Sequence, residues 1–464
     1  MKFINDFFKI EEKGSTFRKE LLAGLTTFLA MAYILFVNSN VLSVTGMKPG
    51  PVFTATAIAA IVGTLIMGIY ANYPVALAPG MGMNALFAYT ITSASGYNFT
   101  WQEALAAVFI SGLIFLAISF TGVREKVINA IPQDLKYAVG AGIGLFIAFI
   151  GLKGAGIVSY DPYALDKPSN VVPILGDLSS PLVLLAIIGL AITVILYVLK
   201  VPAAVFLGII LTSIVGIVWR AILEASGKAA LAAGLPLLPD KIIKLPDAPY
   251  FGEFIKGFGS YDWGNFESIF TFIIVIFTLL FLDFFDTAGT LVSVGERSGL
   301  LDEEGKLKDS GKALAADAVA TVVGATVGTS TTTSYVESLS GIEVGGRTGL
   351  TAVFVALFFI IALFFSPLLS VVTTSVTAPA LIFVGILMST QLGKVNWNDI
   401  AIAIPAFITI IIMPLAYSIS TGIAVGFIFY PISMLAAKRY KEVSITMYIL
   451  SLVFLAYFIV TTIW

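Results

Sequence analysis

One apolar stretch constrains the fold more than any other, residues 270–294, which read FTFIIVIFTLLFLDFFDTAGTLVSV. A transmembrane helix needs ~20 mostly apolar residues, so this stretch is long enough to cross a bilayer. It nevertheless carries Asp283 and Asp286, although a charged side chain at membrane depth costs ~2.5–3.5 kcal/mol on insertion scales. Because intramembrane acids are functional by default, we predict that this helix contacts a polar solute in a transport site.

The composition is that of a polytopic membrane protein. Of the 464 residues, 58% are hydrophobic and 12% are charged, whereas soluble domains are about a quarter charged. Successive apolar runs predict an all-α membrane protein with about fourteen spans, and the run at 444–463 is left open as spanning or interfacial. The basic residues form no cluster beyond short loop runs, so we expect a lipid bilayer and no nucleic acid as partner.

The chain contains no Cys and no His. The lack of Cys removes disulfides and thiolate metal sites, and the lack of His removes the usual near-neutral titrating group. Any proton transfer would therefore have to use carboxylates. We expect no metal, no cofactor and no catalytic residue.

The placement of Lys and Arg predicts the orientation, because these residues are enriched on the cytoplasmic side of membrane proteins. Five of them precede the first predicted span: Lys2, Lys9, Lys13, Arg18 and Lys19. This bias predicts a multi-pass protein of the cell membrane, inner or plasma, with a cytoplasmic N-terminus.

An internal repeat is visible in two Ala-rich spans. AIAAIVG at 57–63 resembles AVATVVG at 318–324, and the two copies fall an odd number of spans apart, which inverts one copy relative to the other. Inverted repeats are common in secondary transporters, with the binding site where the copies meet. The alternative is chance similarity, since membrane helices favour small residues wherever they pack.

The segments that follow the two copies favour the repeat. Residues 72–90 and 325–349 are both rich in Gly, Pro, Ser or Thr and are poor as uninterrupted helices. Interrupted segments at corresponding positions of two halves are the best sequence indication of a transporter site. We expect a short strand before a half-helix in each, at 75–78 and 329–333.

These features predict five regions along the chain. They are a cytoplasmic N-terminal segment (1–20), the first inverted repeat with spans 1–7 (21–223), an extracellular or periplasmic connector (224–265), the second inverted repeat with spans 8–14 (266–437) and a C-terminal segment with an extra apolar helix (438–464).

Four polar side chains are predicted to converge at the site. Asp283 and Asp286 lie three apart and so share a helix face, and Glu337 and Asn84 lie just inside the two broken segments. Carboxylates accept hydrogen bonds from ring N–H groups, and an amide both donates and accepts. The alternatives are that the two Asp residues satisfy broken-helix amides and that Glu337 is only a helix cap. Asp286 is favoured as the structural one of the pair, since the turn-prone 287–290 follows it.

Further residues are expected to support this site rather than contact the solute. Asp317 lies where it could bind the backbone of the second broken segment, which itself contributes Thr333 and Ser334. Three aromatic residues are candidates for stacking on a planar ligand, and the sequence does not choose among them: Phe36, Phe87 and Phe284.

Four stretches, in this order, resemble the azaguanine-type purine permeases of the nucleobase–ascorbate transporter superfamily. They are ALAPGMGMNA (76–85), FLDFFDTAGTL (281–291), TSYVES (333–338) and GGRTGLTA (345–352). Each alone is a weak motif, and their order and spacing make the resemblance specific. The similarity extends over residues 16–437, essentially the whole chain.

The resemblance implies a 7+7 inverted repeat with a core domain (spans 1–4 and 8–11) and a gate domain (spans 5–7 and 12–14). It implies proton-coupled import of purine nucleobases such as hypoxanthine, guanine or adenine. By motif, Asp283 and Glu337 would bind the purine ring, Asn84 would support it, and Asp286 would be important nearby. Glu337 or Asp283 would carry the proton. Whether the chain forms a homodimer is left open.

Two other classes of protein were weighed against a purine transporter. An anion transporter or channel of the same architecture needs a positive site, whereas this sequence collects acids. An intramembrane aspartyl protease would take its two Asp residues from different helices, and its Tyr-Asp and Gly-x-Gly-Asp signatures are absent from this sequence. The sequence therefore favours a transporter over both.

Overall fold

The structure is a computed structural model, and it describes residues 2–94, 96–119, 131–160, 172–298 and 310–463. The N-terminal half is mostly helical. Its elements are α1 (Lys2–Phe8), α2 (Phe17–Met31), α3 (Ile34–Ser43), α4 (Pro49–Ile66) with a π-helical turn (Met67–Ala71), β1 (Leu77–Pro79), α5 (Met81–Leu86) with a π-helical turn (Phe87–Ile91), α6 (Trp101–Ser119), α7 (Gln133–Gly154), β2 (Val158–Tyr160), β3 (Pro173–Leu175), α8 (Pro181–Val198) and α9 (Ala204–Ala225).

The C-terminal half begins after a connector that contains a 3₁₀ turn (Ala229–Ala232). Its elements are α10 (Glu253–Ser260), α11 (Phe266–Ser298), α12 (Ser310–Val327), β4 (Thr332–Ser334), α13 (Ser338–Val344), α14 (Gly349–Ala362), α15 (Thr374–Ser389), α16 (Ile400–Leu415), α17 (Ile419–Ala436) and α18 (Ile445–Ile463), with 3₁₀ turns at Leu363–Ser370, Thr390–Lys394 and Tyr440–Glu442. The predicted polar segments 1–20 and 224–265 thus contain the short helices α1 and α10, which the sequence analysis did not anticipate.

Each broken segment forms a short strand followed by a short helix, as predicted, but the strands lie at Leu77–Pro79 and Thr332–Ser334, a few residues later than the expected 75–78 and 329–333. β1 pairs with β4 in an antiparallel ribbon in which Leu77 lies opposite Ser334 and Pro79 lies opposite Thr332. Pro79 lacks a backbone N–H, and a two-stranded ribbon at a strand end tolerates it. Each half of the chain therefore contributes one strand to the same ribbon.

The helices pack in two groups. The core group contains α2–α6 and α11–α14, and the gate group contains α7–α9 and α15–α17. Within the core group the repeated helices α4 and α12 touch, and a Cβ atom added at Gly63 would lie 2.6 Å from the Cβ of Ala320. A glycine at this contact lets the two helices approach. The grouping matches the predicted division into core and gate domains.

Many of the helices have the length and hydropathy of membrane-spanning segments. Among the described residues, ten helices are long and apolar enough to cross a bilayer. The two broken segments, the Ala-rich α12 and the short α16 fall outside that set, which explains why the sequence count was higher. The C-terminal α18 packs against α17 and α11. The chain is a multi-pass membrane protein.

Candidate functional site

The two broken segments are fastened to each other by hydrogen bonds on both sides of the ribbon. The N–H of Tyr335 donates to the carbonyl of Ala76 (2.9 Å), and the N–H of Gly80 donates to the carbonyl of Thr331 (3.0 Å). The hydroxyl of Tyr335 also donates to the carbonyl of Pro79 (2.6 Å). These contacts hold the beginnings of α5 and α13 beside each other.

Asp286 lies next to the first broken segment. It is on α11, and its side chain is exposed although its neighbours Asp283 and Thr287 are buried. A Cβ atom added at Gly80 would lie 3.5 Å from Asp286 Oδ2 and 2.6 Å from Thr333 Cγ2. The absence of a side chain at Gly80 therefore leaves space beside the Asp286 carboxylate. An exposed acid within a spanning helix indicates an opening that a polar ligand can reach.

Glu337 borders the same opening from the second broken segment. It is partly exposed, and it occupies the N-cap position of α13 without making a side-chain capping hydrogen bond. Its Oε1 instead accepts a hydrogen bond from the hydroxyl of Tyr33, at 2.7 Å. Asp286 and Glu337 are near enough to interact electrostatically. The cap that the sequence analysis held open for Glu337 is not formed.

Asp283 faces the protein interior. It is 2% exposed, and its Oδ2 accepts a hydrogen bond from Thr321 Oγ1 on α12 at 3.1 Å. The same hydroxyl lies 2.9 Å from the carbonyl of Thr332 in β4. Asp283 therefore helps to join α11, α12 and the ribbon. Its predicted contact with the substrate stays a prediction.

The sequence analysis favoured Asp286 as the structural acid of the pair because a local turn was expected at 287–290. The turn expected after it does not form, because α11 continues as a helix to Ser298. The hydroxyl of Thr287 donates to Asp317 Oδ2 (2.8 Å) and not to a local turn. α11 packs on α6 and β4, and in this orientation Asp283 meets Thr321 of α12 while Asp286 is left exposed.

Asp317 organises the hydroxyl groups behind the site. It is buried and accepts hydrogen bonds from Thr287 Oγ1 (2.8 Å) and Ser334 Oγ (2.9 Å). Thr287 Oγ1 also lies 2.8 Å from Thr333 Oγ1. The predicted supporting residues Asp317, Thr333 and Ser334 thus come together, and the hydroxyls of Thr287 and Ser334 are two of the groups that Asp317 binds.

Asn84 supports the ribbon from the first half of the chain. Its side chain is buried, and its Oδ1 accepts a hydrogen bond from Ser330 Oγ. Its Nδ2 lies 3.4 Å from the carbonyl of Pro79. Asn84 therefore connects the two broken segments, and its predicted contact with the substrate also stays a prediction.

Two tyrosines make hydrogen bonds at the site, Tyr33 to Glu337 and Tyr335 to the carbonyl of Pro79. The three phenylalanines considered for stacking are all buried, and Phe284 packs edge-on against Phe115. Sequence reasoning missed Tyr33, which contacts Glu337 from a position 304 residues away. The signal that could have found it is a lone Tyr in the middle of the first span. In the described part of the chain, no group of three or more Asp, Glu, His or Cys could hold a metal ion.

A pair of broken segments beside an acid-bearing helix is the arrangement of a secondary transporter. A family model described as Permease family matches residues 18–425. The guanine/hypoxanthine permease PbuG of Bacillus subtilis is 50% identical over 98% of this chain and 99% of its own length. The adenine permease AdeQ of Escherichia coli is 38% identical over 97% of this chain and 95% of its own length. The chain belongs to the permease family, within its azaguanine-type purine permeases, and it is a transporter and not an enzyme.

Solved structures with the same fold are more distant in sequence. The transmembrane domain of the cyanobacterial bicarbonate transporter BicA has a TM-score of 0.61 at 16% identity, covering 88% of this chain and 97% of that one. The murine anion transporter Slc26a9 has a TM-score of 0.61 at 12% identity, covering 94% of this chain and 72% of that one. These structures share the 7+7 inverted-repeat fold, and at this identity the likeness concerns the fold alone.

Proposed function

We propose that the protein imports purine nucleobases by proton symport across the cell membrane. Hypoxanthine and guanine are the first candidates and adenine is a further one. The proposal is supported by relatives that carry these substrates in their names, the guanine/hypoxanthine permease PbuG at 50% identity and the adenine permease AdeQ at 38% identity. The cytoplasmic N-terminus predicted from the basic residues belongs to the same proposal.

The observation that carries the proposal is the accessible pair Asp286 and Glu337 at the broken segments. A purine base is neutral and planar and offers ring N–H donors, which carboxylate oxygens accept. Asp286 is exposed and Glu337 is partly exposed, so both can reach a ligand. Of the two Asp residues on α11, we therefore assign the contact with the base to Asp286 and a supporting role to Asp283.

Coupling to a proton follows from the same pair. Two carboxylates that share a site resist being charged together, so one of them takes a proton. The sequence left Glu337 and Asp283 as candidates, and the partial exposure of Glu337 supports that residue over the buried Asp283. The alternative of anion transport has no support in a site whose accessible charges are carboxylates.

The packing supports a transport cycle in which the core group moves against the gate group. Asp286, Glu337 and Asn84 all belong to core-group elements, so a bound base would travel with that group. A proton would bind on the outer side, the base would follow, and both would be released inside after the movement.

Ligand binding to the purified protein tests the proposal. Thermal unfolding is measured with hypoxanthine, guanine, adenine, xanthine, uracil and bicarbonate, for the wild type and for Asp286→Asn and Glu337→Ala. A purine should raise the unfolding temperature of the wild type and have little effect on either variant. If no base raises it, or if bicarbonate does so instead, purine transport is the wrong assignment.

A further inference from the structure

Tyr33 is the residue whose position at the site no motif explains. It lies between α2 and α3, where the first span is interrupted at residues 32–33. Its side chain is 1% exposed, yet its hydroxyl donates to Glu337 Oε1 at 2.7 Å. Glu337 makes no capping bond to its own helix. The orientation of this carboxylate is therefore set by a residue from the other half of the chain.

The Tyr33 hydroxyl suits a partner that gains and loses a proton. A phenolic hydroxyl both donates and accepts. When Glu337 is ionised, Tyr33 donates to it across the 2.7 Å that separates the two oxygens. When Glu337 binds a proton at that oxygen, the carboxyl O–H can donate to Tyr33 and the phenol proton turns away. The bond reverses without moving either heavy atom.

Asp283 differs from Glu337 in its access to solvent, since Asp283 is 2% exposed and Glu337 is partly exposed. The donor to Asp283, Thr321 Oγ1, has one hydrogen, and that hydroxyl lies within hydrogen-bond distance of both Asp283 Oδ2 (3.1 Å) and the Thr332 carbonyl (2.9 Å). A protonated Asp283 could donate to Thr321 Oγ1, and that hydroxyl would keep its own hydrogen for the Thr332 carbonyl, so the contact between α12 and the ribbon is compatible with either protonation state. Glu337 is therefore preferred over Asp283 as the proton carrier because of its access to solvent, and not because of its hydrogen-bond partner.

We propose that Tyr33 is a positioning residue that holds Glu337 in the same place in both protonation states, so that Glu337 can take the coupling proton while its other oxygen stays directed to the ligand. This inference rests on the proposed function. In the step it describes, one proton from the outer solution adds to the Glu337 carboxylate, the hydrogen bond to Tyr33 reverses, and no other bond forms or breaks.

The groups that face Glu337 define what a pH experiment would report. Among the described residues they come from three elements: Tyr33 from the α2–α3 junction, Tyr335 from the turn before α13, and Asp286 from α11. Tyr335 is a matched control, because its hydroxyl also donates a hydrogen bond at the site but to the backbone carbonyl of Pro79. Tyr335→Phe therefore removes a phenolic hydroxyl without removing a hydrogen bond to Glu337.

The test uses purified protein in liposomes and measures hypoxanthine uptake driven by a pH gradient, over a range of outer pH. Tyr33→Phe should raise KM about tenfold with a smaller change in maximal rate, because one charge-assisted hydrogen bond is lost. Without its donor the ionised carboxylate is less favoured, so the pH at which uptake is half-maximal should move upward. Tyr335→Phe should lower the rate without moving that pH. A Tyr33→Phe profile that superimposes on the wild type would overturn the inference.

The Glu337→Gln variant tests the same inference, and its result does not depend on whether Tyr33→Phe folds. The amide keeps an oxygen that can accept from Tyr33 and resembles the protonated acid. It should exchange hypoxanthine across the membrane at a rate independent of pH and should not accumulate it. If Glu337→Gln still accumulates hypoxanthine against a gradient when driven by protons, the proton is not on Glu337. If the wild type takes up no nucleobase at any pH, both the inference and the proposed function are wrong. If the wild type takes up hypoxanthine and Tyr33→Phe has the same KM and pH profile, only the inference is wrong.

Discussion

Two regions of the molecule bring a carboxylate into the helix bundle, and they treat it in opposite ways. Glu20, on α2, is fully buried. Its oxygens accept hydrogen bonds from the backbone N–H groups of Arg347 (3.0 Å), Thr348 (3.4 Å) and Thr351 (3.1 Å). These groups belong to the start of α14, where unpaired N–H groups and the helix dipole favour a negative charge.

The carboxylates of Asp286 and Glu337 are not surrounded by hydrogen-bond donors in the way that Glu20 is. Asp286 is exposed, Glu337 is partly exposed, and the hydrogen bond from Tyr33 reaches one oxygen of Glu337. The difference gives a rule for inferring the role of a carboxylate in a membrane protein. A carboxylate whose oxygens are already occupied by the protein stabilises the fold, and one with capacity left beside an opening is available to a ligand.

The largest expected effect is on the accessible pair. Asp286→Asn and Glu337→Ala each remove a hydrogen-bond acceptor for the base, and losing a hydrogen bond to a charged group costs ~1.5–3 kcal/mol. Affinity for hypoxanthine should fall by about a hundredfold, with little change in the unfolding temperature of the ligand-free protein. Equilibrium binding of labelled hypoxanthine measures the first quantity. Affinity retained with a lowered unfolding temperature would place this pair in the same class as Glu20.

Glu20 should show the opposite pattern. Glu20→Ala leaves several buried N–H groups without an acceptor, and breaking such a buried charged contact costs ~3–5 kcal/mol. Glu20→Gln keeps one acceptor oxygen and should cost about 1–2 kcal/mol. Thermal unfolding in detergent measures the loss, and the folded fraction should bind hypoxanthine with wild-type affinity. A loss of affinity without a loss of stability would contradict the comparison.

Asp283 lies between these two extremes, because it is buried like Glu20 but sits one turn from Asp286. In Asp283→Asn the amide oxygen can still accept from Thr321, so hypoxanthine affinity should fall by about tenfold or less. The measurement is the binding assay used for Asp286→Asn. An equal loss for the two variants would restore Asp283 as a direct ligand of the base.

The smallest effect is expected at a surface pair of acids. Arg439 donates to Asp399 and to Glu442, and these hydrogen bonds lower the pKa of both carboxyls. Since each folded-state pKa lies below its ordinary value, the stabilisation is present above about pH 5 and is lost as the pH falls below about 4. Arg439→Gln should lower the unfolding temperature by about one or two degrees at neutral pH. The difference should vanish in acid, and one that persisted there would have another cause.

Much of the architecture is readable from the sequence because it depends on local composition. Apolar runs locate the spans, and the Gly, Pro and Thr of 72–90 and 325–349 locate the breaks. The short strand predicted before each half-helix forms, as β1 and β4, a few residues later than expected. Weak spans are the exception, since α12 and α16 are too polar or too short for the length and hydropathy expected of a crossing helix.

The site is less readable because its contacts join distant parts of the chain. The spacing of Asp283 and Asp286 puts both on one side of α11 but does not say which of them faces α12. That choice depends on the rotation of the helix, and the hydrogen-bond partner of Asp283, Thr321, lies on another span. Tyr33 and Glu20 lie in no motif that the sequence analysis used. Each forms its hydrogen bond with a residue more than 300 positions away in the chain.

The β1–β4 ribbon has a consequence for the order of biosynthesis. The hydroxyl of Tyr335 reaches the carbonyl of Pro79 across 256 positions of chain, so the first strand has no partner while the ribosome is still making the connector. Unpaired backbone groups are costly in hydrocarbon, and the first broken segment must therefore be sheltered by its neighbours until the second half has been inserted. A nascent chain released before β4 at Thr332–Ser334 would have its early spans in the bilayer and no ribbon on which to assemble a site.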